Sequence, residues 1–229
     1  QLTVSEKKKA LRCRLVFNRK RVEITGATDK TDKVEITELG AAKARLVAQD
    51  LKILHKLEPE QTYAPTPSTD GFRLMLASCN VDEGHQVSST DFDVAYLQSQ
   101  PWLNKLVLIV YRNPFTGEDV YEWINRVIYG MQTGAYDWKD TLAAVLTTDL
   151  GFVELYNMQS MYHHPDRKID VACHVDDPLT VTRSAADKEW FYTELSKVFD
   201  TKGDKTLSSD LALDYLSIRV SMNGTGDIR

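Results

Sequence analysis

No run of 18 apolar residues occurs in the 229-residue chain, so nothing in it reads as a membrane-crossing helix. The first residues, QLTVSEKKKALRCRLVF, lack the apolar core that a secretory signal needs. Cysteine is scarce: Cys13, Cys79 and Cys173 are odd in number, far apart and fit no zinc-ligand spacing. That excludes a disulfide framework and leaves the expectation of reduced, mostly buried thiols in an intracellular protein. Internal repeats and low-complexity tracts are missing too, which excludes a repeat architecture.

What remains is the composition of an ordinary globular protein, 42% apolar and 27% charged, long enough for one large domain or two small ones. The charge is unevenly placed. Residues 1–60 hold 14 Lys/Arg against 9 Asp/Glu, while the rest holds 14 against 24. A basic N-terminal third can hold phosphates and an acidic remainder can hold metal ions. The plainer reading is that KKK and RKR are solvated faces, and the net charge of −5 weighs against tight nucleic-acid binding.

Hydropathy patterning predicts a strand pair in 11–24, a loop or extended hairpin over the polar stretch to Gly40, and a strand at 43–49. A Pro-rich connector, EPEQTYAPTPSTDG, leads to a helix over 70–83. A strand then ends near Asp91 and turns into a short helix, followed by a strand pair at 106–111 and 120–124. Next come a helix from Gly134 to a stop at Gly151, strands at 152–164 and 168–175, a helix over 184–199 capped by Ser184, and a last strand at 213–222. The expectation is an α+β fold, with a β-rich lobe at 1–69 and a second domain at 70–229 whose antiparallel sheet carries helices on one face.

Inside the run VACHVDDPLTV, two adjacent carboxylates, Asp176 and Asp177, interrupt an apolar strand-like stretch. Asp and Pro are turn formers, so a plain hairpin turn accounts for them. The sharper reading is half of a metal site. Two-metal nucleotidyl transfer needs carboxylates around two divalent ions, one activating a hydroxyl and the other neutralising the leaving phosphate. Asp91, at the end of an adjacent strand, could complete the set with oxygen ligands suited to Mg²⁺. Spacing alone does not choose between these readings.

Six segments in order do. KARLVA (43–48), TYAPTPS (62–68), DFDVAYL (91–97), IYGMQTGAYDW (128–138), HVDDPLTV (174–181) and LDYLSI (213–218) resemble the collinear motifs of copia-type LTR-retrotransposon reverse transcriptases. There the counterparts are KARLVA, TFAP, DVKTAFL, LYGLKQAPRAW, YVDDIL and FLGI. The resemblance implies the fingers and palm of a right-hand polymerase: fingers at 1–69, a catalytic palm at 70–229. It implies RNA-directed DNA polymerase activity, with Asp91, Asp176 and Asp177 holding two Mg²⁺ ions, or Mn²⁺ in their place.

Other positions carry over residue by residue. Tyr96 matches the aromatic under the sugar, which excludes a 2′-hydroxyl; without the motif it reads as a half-buried strand aromatic. Phe92 falls with the nucleotide-contacting residues of the same segment. Lys43 and Arg45 match cations that meet the triphosphate, or else belong to an exposed strand face. Trp138 matches a palm-helix tryptophan whose role is core packing. His163 and His164 face opposite ways on a strand and lack a third ligand, so they read as hairpin residues.

The departures from the pattern are as informative. His174 replaces the tyrosine of YVDD, and Pro178 the following aliphatic. Gln132, Thr133, Ala135 and Tyr136 replace the lysine, glutamine, proline and arginine of LYGLKQAPRAW, and Ser217 replaces the glycine of FLGI. Together they look like drift in a degenerate copy. The alternative function is therefore a weak or inactive reverse-transcriptase-like domain serving as a nucleic-acid-binding or protein-interaction module. The implied partners are an RNA or DNA primer–template and dNTPs, with no membrane. A thumb and RNase H segment, absent from these 229 residues, or an oligomer partner would be needed for processive synthesis. The implied location is cytoplasmic, in a virus-like particle for an active element, or nuclear.

Overall fold

The computed structural model describes residues 2–21, 39–50, 57, 58, 60 and 62–229. The expected loop or hairpin before Gly40 falls largely outside them. Contacts group the chain into two compact units, Gln1–Lys56 with Pro101–Gln132, and Leu57–Gln100 with Thr133–Arg229. The expected cut at 69/70 follows the sequence; the contacts instead return 101–132 to the first unit.

In the first unit a short helix α1 (Val4–Lys9) precedes β1 (Leu11–Arg21) and β2 (Leu39–Ala48). Thr3 caps α1: its hydroxyl accepts from the Glu6 N–H while the Glu6 carboxylate accepts from the Thr3 N–H at 2.7 Å. In the second unit, α2 (Thr69–Ala77) begins at Ser68, whose hydroxyl accepts from the Gly71 N–H at 3.0 Å. β3 (Gln86–Ser89) follows it. The chain then contributes β4 (Val107–Arg112) and β5 (Asp119–Ile124) to the first unit, whose sheet runs β2-β1-β4-β5. Only the β1–β4 rung is parallel, pairing Leu11 with Ile109. Cys13, Ala48, Ile109 and Ile128 form this unit's buried cluster.

The second unit continues with α3 (Gly134–Ala144), a single π-helical turn at Val145–Asp149, β6 (Val153–Glu154), β7 (Met161–His164), β8 (Ile169–His174) and β9 (Asp177–Thr182). α4 (Ala185–Ser196) starts at Ser184, whose hydroxyl accepts from the Asp187 N–H at 3.1 Å. β10 (Lys205–Thr206), β11 (Leu213–Tyr215) and β12 (Ile218–Val220) close the chain. The main sheet is ordered β10-β3-β9-β8-β7-β6, with every pair antiparallel.

Helices on one face only were expected, and the structure corrects this. The sheet face bearing Tyr162, Val171 and Cys173 packs on Trp138 and Leu142 of α3 and Phe191 and Leu195 of α4. The opposite face, with Met161, Ala172 and Leu179, packs on Phe72 and Met75 of α2 and on Tyr215. The reason is visible in β9, where Pro178 to Thr182 are all buried: this strand is covered on both faces, the Leu179 and Val181 face by the α2 side and the threonine face by the α4 side, where the Tyr192 hydroxyl meets Thr180. The expected last strand is likewise two strands, β11 and β12, turning at Leu216 and Ser217. Among the described residues no helix is long and apolar enough to cross a membrane.

Candidate carboxylate site

Strand β8 ends at His174 and β9 begins at Asp177, so Val175 and Asp176 form a two-residue hairpin loop. Val175 has φ of 51°, a left-handed conformation that costs a β-branched residue roughly 1–2 kcal/mol. Two contacts hold it there. The Trp138 indole N–H donates to the Val175 carbonyl at 2.7 Å, and the Phe92 N–H donates to the Asp176 carbonyl at 3.0 Å. The second bond ties the Asp91 segment directly to the hairpin tip.

Pro178 looks disruptive in sequence and is not. The Cys173 N–H donates to Ser160 on the β7 side, so its pairing with Pro178 is of the non-hydrogen-bonded kind. The position of the missing N–H faces the β3 side, where pairing stops one residue on, at Leu179. Proline therefore removes no rung.

Below the tip lies an aromatic triangle. Phe92, Trp138 and Phe199 meet edge to face with centroids 5.0–5.4 Å apart. Phe92, expected beside a nucleotide, is 1% exposed, and its ring forms the floor beneath the hairpin tip. Tyr96 lies half-buried against the same core, on a 3-10 turn at Ala95–Gln98. Lys43 and Arg45 stand on β2 in the first unit, where the Arg45 guanidinium lies 5.5 Å from the Tyr129 ring.

The three aspartates feel one another. Burial, then Asp176, then Asp91 push the Asp177 carboxyl above the usual carboxylate range, against the pull of His174 and Lys202. The structure thus gathers Asp91, Asp176 and Asp177 at one corner of the second unit. Sequence reasoning missed the cation there. The Lys202 ammonium is ion-paired to the Asp91 carboxylate and lies 3.7 Å from that of Asp93. The Lys202 backbone N–H also donates to the Asp91 carbonyl at 3.0 Å. The hydrogen bond to Asp91, followed by the charges of Asp91 and Asp93, raises the Lys202 pKa against the effect of burial. Gln98 braces the segment, accepting from the Asp200 N–H at 2.7 Å and donating to the Asp200 carbonyl at 3.0 Å. A gap of 111 residues separates Lys202 from Asp91, and no local pattern announces the pairing.

All-oxygen donors suit a hard divalent cation such as Mg²⁺. Asp91, Asp176 and Asp177 offer carboxylate oxygens of that kind, with Asp177 raised first by burial and then by the charges of Asp176 and Asp91. Among the described residues, however, no three ligating groups close around a common point, and Lys202 supplies the positive charge at Asp91. His163 pairs with Asp170 at 2.6 Å, and buried His164 packs edge-on to Phe152 and Trp190.

A family model described as reverse transcriptase (RNA-dependent DNA polymerase) matches residues 10–226. No curated protein sequence matches the chain. Among solved structures, apo telomerase from Candida tropicalis truncated from its C-terminal domain aligns over 99% of this chain and 58% of its own, at 10% identity and a TM-score of 0.47. Telomerase from Candida albicans, in complex with a fragment of telomeric RNA, aligns over 100% and 47% at 7% identity and a TM-score of 0.48. The chain spans about half the length of these structures.

Proposed function

The chain belongs to the reverse transcriptase family, and from that premise we propose that it is the fingers and palm portion of an RNA-directed DNA polymerase of the copia type, extending a primer 3′-hydroxyl with dNTPs. The observation that carries this reading is the meeting of Asp91, Asp176 and Asp177, brought from two distant segments by the Phe92–Asp176 backbone bond. The second unit corresponds to the palm. The first, with 101–132 added to the N-terminal segment, corresponds to the fingers.

The three aspartates would hold the metal ions. When bound, two divalent ions supply activation of the 3′-hydroxyl and neutralisation of the triphosphate. The chain's own part is positional. The strained Val175 loop, clamped by Trp138, fixes where the two hairpin carboxylates point. Tyr96, part-buried and therefore stiff, offers a flat surface to a deoxyribose and no room for a 2′-hydroxyl. Lys43 and Arg45 would carry the charge for the triphosphate. Phe92 has no direct part.

A second reading rests on Lys202. A lysine already neutralising Asp91 is what a non-catalytic descendant would keep after losing its metal. Primer extension on an RNA template with Mg²⁺, then Mn²⁺, separates the two. Incorporation by the natural chain that falls roughly 10³-fold or more in Asp176→Asn supports the polymerase. Folded protein that incorporates nothing, and that shows no Mn²⁺ binding sensitive to Asp176→Asn, supports the interaction module.

A further inference from the structure

Beside Asp91, Asp176 and Asp177 the carboxylate corner carries Asp93, which the polymerase reading leaves unused. It stands where the motif DVKTAFL has a lysine, so the local charge is reversed. We propose that Lys202 and Asp93 form a two-position switch that governs metal entry. Lys202 fills the cation position at Asp91 in the metal-free chain, and Asp93 is the seat its ammonium takes when a divalent ion binds there. The ammonium is hydrogen-bonded to the Asp91 carboxylate and lies 3.7 Å from that of Asp93. Among the described residues Asp93 has no other ion-pair partner.

An ion pair with side chains 41% and 40% exposed is ordinarily a weak surface contact, because two free side chains must be held in one geometry. Here the root of the lysine is already held. Its backbone N–H donates to the Asp91 carbonyl at 3.0 Å, Phe92 bridges Thr201, and the Asp93 N–H donates to the Asp200 carbonyl at 2.9 Å. The Gln98 amide then donates to the Asp93 carbonyl at 2.5 Å and to the Asp200 carbonyl at 3.0 Å. The segment bearing both acids and the turn bearing the lysine are thus one piece. A lone carboxylate would leave a displaced ammonium only water, whereas Asp93 offers it a second anion a short swing away. A divalent ion and an ammonium repel strongly at one carboxylate, so the ion binds only chains in which Asp91 is free. Apparent metal affinity falls by that fraction, and Asp93 raises the fraction. That the ion sits at Asp91 rests on the polymerase reading.

The test is Mn²⁺ titration of the whole chain, with free Mn²⁺ read by electron paramagnetic resonance and Asp176→Asn defining the binding that belongs to the corner. Lys202→Met keeps the aliphatic stem and the backbone bonds, and is expected to tighten that binding about tenfold. Lys202→Gln should move it the same way, which covers the case in which methionine disturbs the turn. Asp93→Asn should weaken binding about threefold in the natural chain and change it by less than about 1.5-fold beside Lys202→Met, where the seat has no occupant. Lys168→Gln removes the same charge just before β8, at the end of the strand away from the hairpin tip, and should leave affinity within about twofold. Equal tightening by Lys168→Gln, or none by Lys202→Met, overturns the proposal. Equal losses from Asp93→Asn with and without the lysine make Asp93 a distant charge and overturn it too. Tighter binding in Asp93→Asn does the same, because Asp93 would then be part of the grip on Asp91. Binding that appears only once Lys202 is removed supports the switch; no binding in either protein overturns it. Incorporation with unchanged affinity in Lys202→Met would sink this inference alone. The expected affinity shifts without any incorporation would sink the polymerase reading alone.

Discussion

The two units solve opposite electrostatic problems with very different amounts of core. In the second, two buried clusters cover both faces of a six-stranded sheet, with eight aromatic residues among their buried members. In the first, the buried cluster among the described residues is Cys13, Ala48, Ile109 and Ile128. The second unit must hold carboxylates near one another and keep two valines, Val94 at φ 45° and Val175 at φ 51°, in left-handed backbone. Such conformations persist only where surrounding packing over-determines them. The first unit presents lysines and arginines, long side chains that find their own angle from a modest support. Holding anions together requires rigidity; offering cations requires only reach.

The change that tests this difference hardest is Trp138→Ala. The residue is 1% exposed, contacts both neighbouring phenylalanines and holds the hairpin loop. A loss of about 3–5 kcal/mol is expected in urea unfolding followed by circular dichroism. Trp138→Phe keeps a ring but drops the N–H donor to Val175, and should lose about 1 kcal/mol beyond the smaller packing change. If Trp138→Ala costs under 1 kcal/mol, the second unit does not depend on its core in the way the comparison requires.

The counterpart in the first unit is Gly130→Ala. Gly130 has φ of 86°, and a Cβ there would be driven against the Ala48 carbonyl and within 2.8 Å of Val47 Cγ1. It sits next to the bond by which the Ala48 N–H donates to Tyr129 at 2.7 Å, so the strain falls on β2. About 1–3 kcal/mol should be lost, read as faster amide exchange in β1 and β2. Slowed or unchanged exchange there would mean that the IYGMQ segment does not set the position of that strand.

Gly130 also marks what could be read from sequence. The six motifs place most of the elements, and the physical basis of several is now clear. TYAPTPS is a strap: the Ser160 hydroxyl donates to the Pro65 carbonyl at 2.7 Å, the Tyr63 hydroxyl donates to Gln159 at 2.8 Å, and Ser68 caps α2. The hairpin carboxylates and Asp91 were legible because short motifs surround them. What sequence could not reveal was non-local. The parallel β1–β4 rung moves 101–132 into the first unit, yet a strand pair reads the same whichever sheet it joins. Phe92 sits inside a motif that touches nucleotide in the family, but alternation cannot say which residue of DFDVAY faces the core. Lys202 reaches Asp91 only through the Phe92–Thr201 bridge, which no spacing encodes.

The smallest test concerns a departure that sequence flagged and the structure now interprets. LDYLSI looked like one strand with a serine in place of the family glycine. The chain instead turns there, with Leu216 at φ 51° and Ser217 at φ 62° linking paired Tyr215 and Ile218. A two-residue hairpin of this kind wants positive φ at both central positions, which is why glycine suits the second. Serine pays the steric cost of a Cβ in left-handed backbone, roughly 1–2 kcal/mol, and recovers part of it because glycine has more unfolded-state freedom to lose. Ser217→Gly is therefore expected to stabilise the fold by about 0.5 kcal/mol, a rise of roughly 1–2 °C in Tm by calorimetry. The sign decides between two histories. A gain means that the position still has the geometry of the family turn and carries a mildly damaging replacement that the large core tolerates. A loss would mean that the hairpin has adapted around serine, and that this departure is accommodation, not decay.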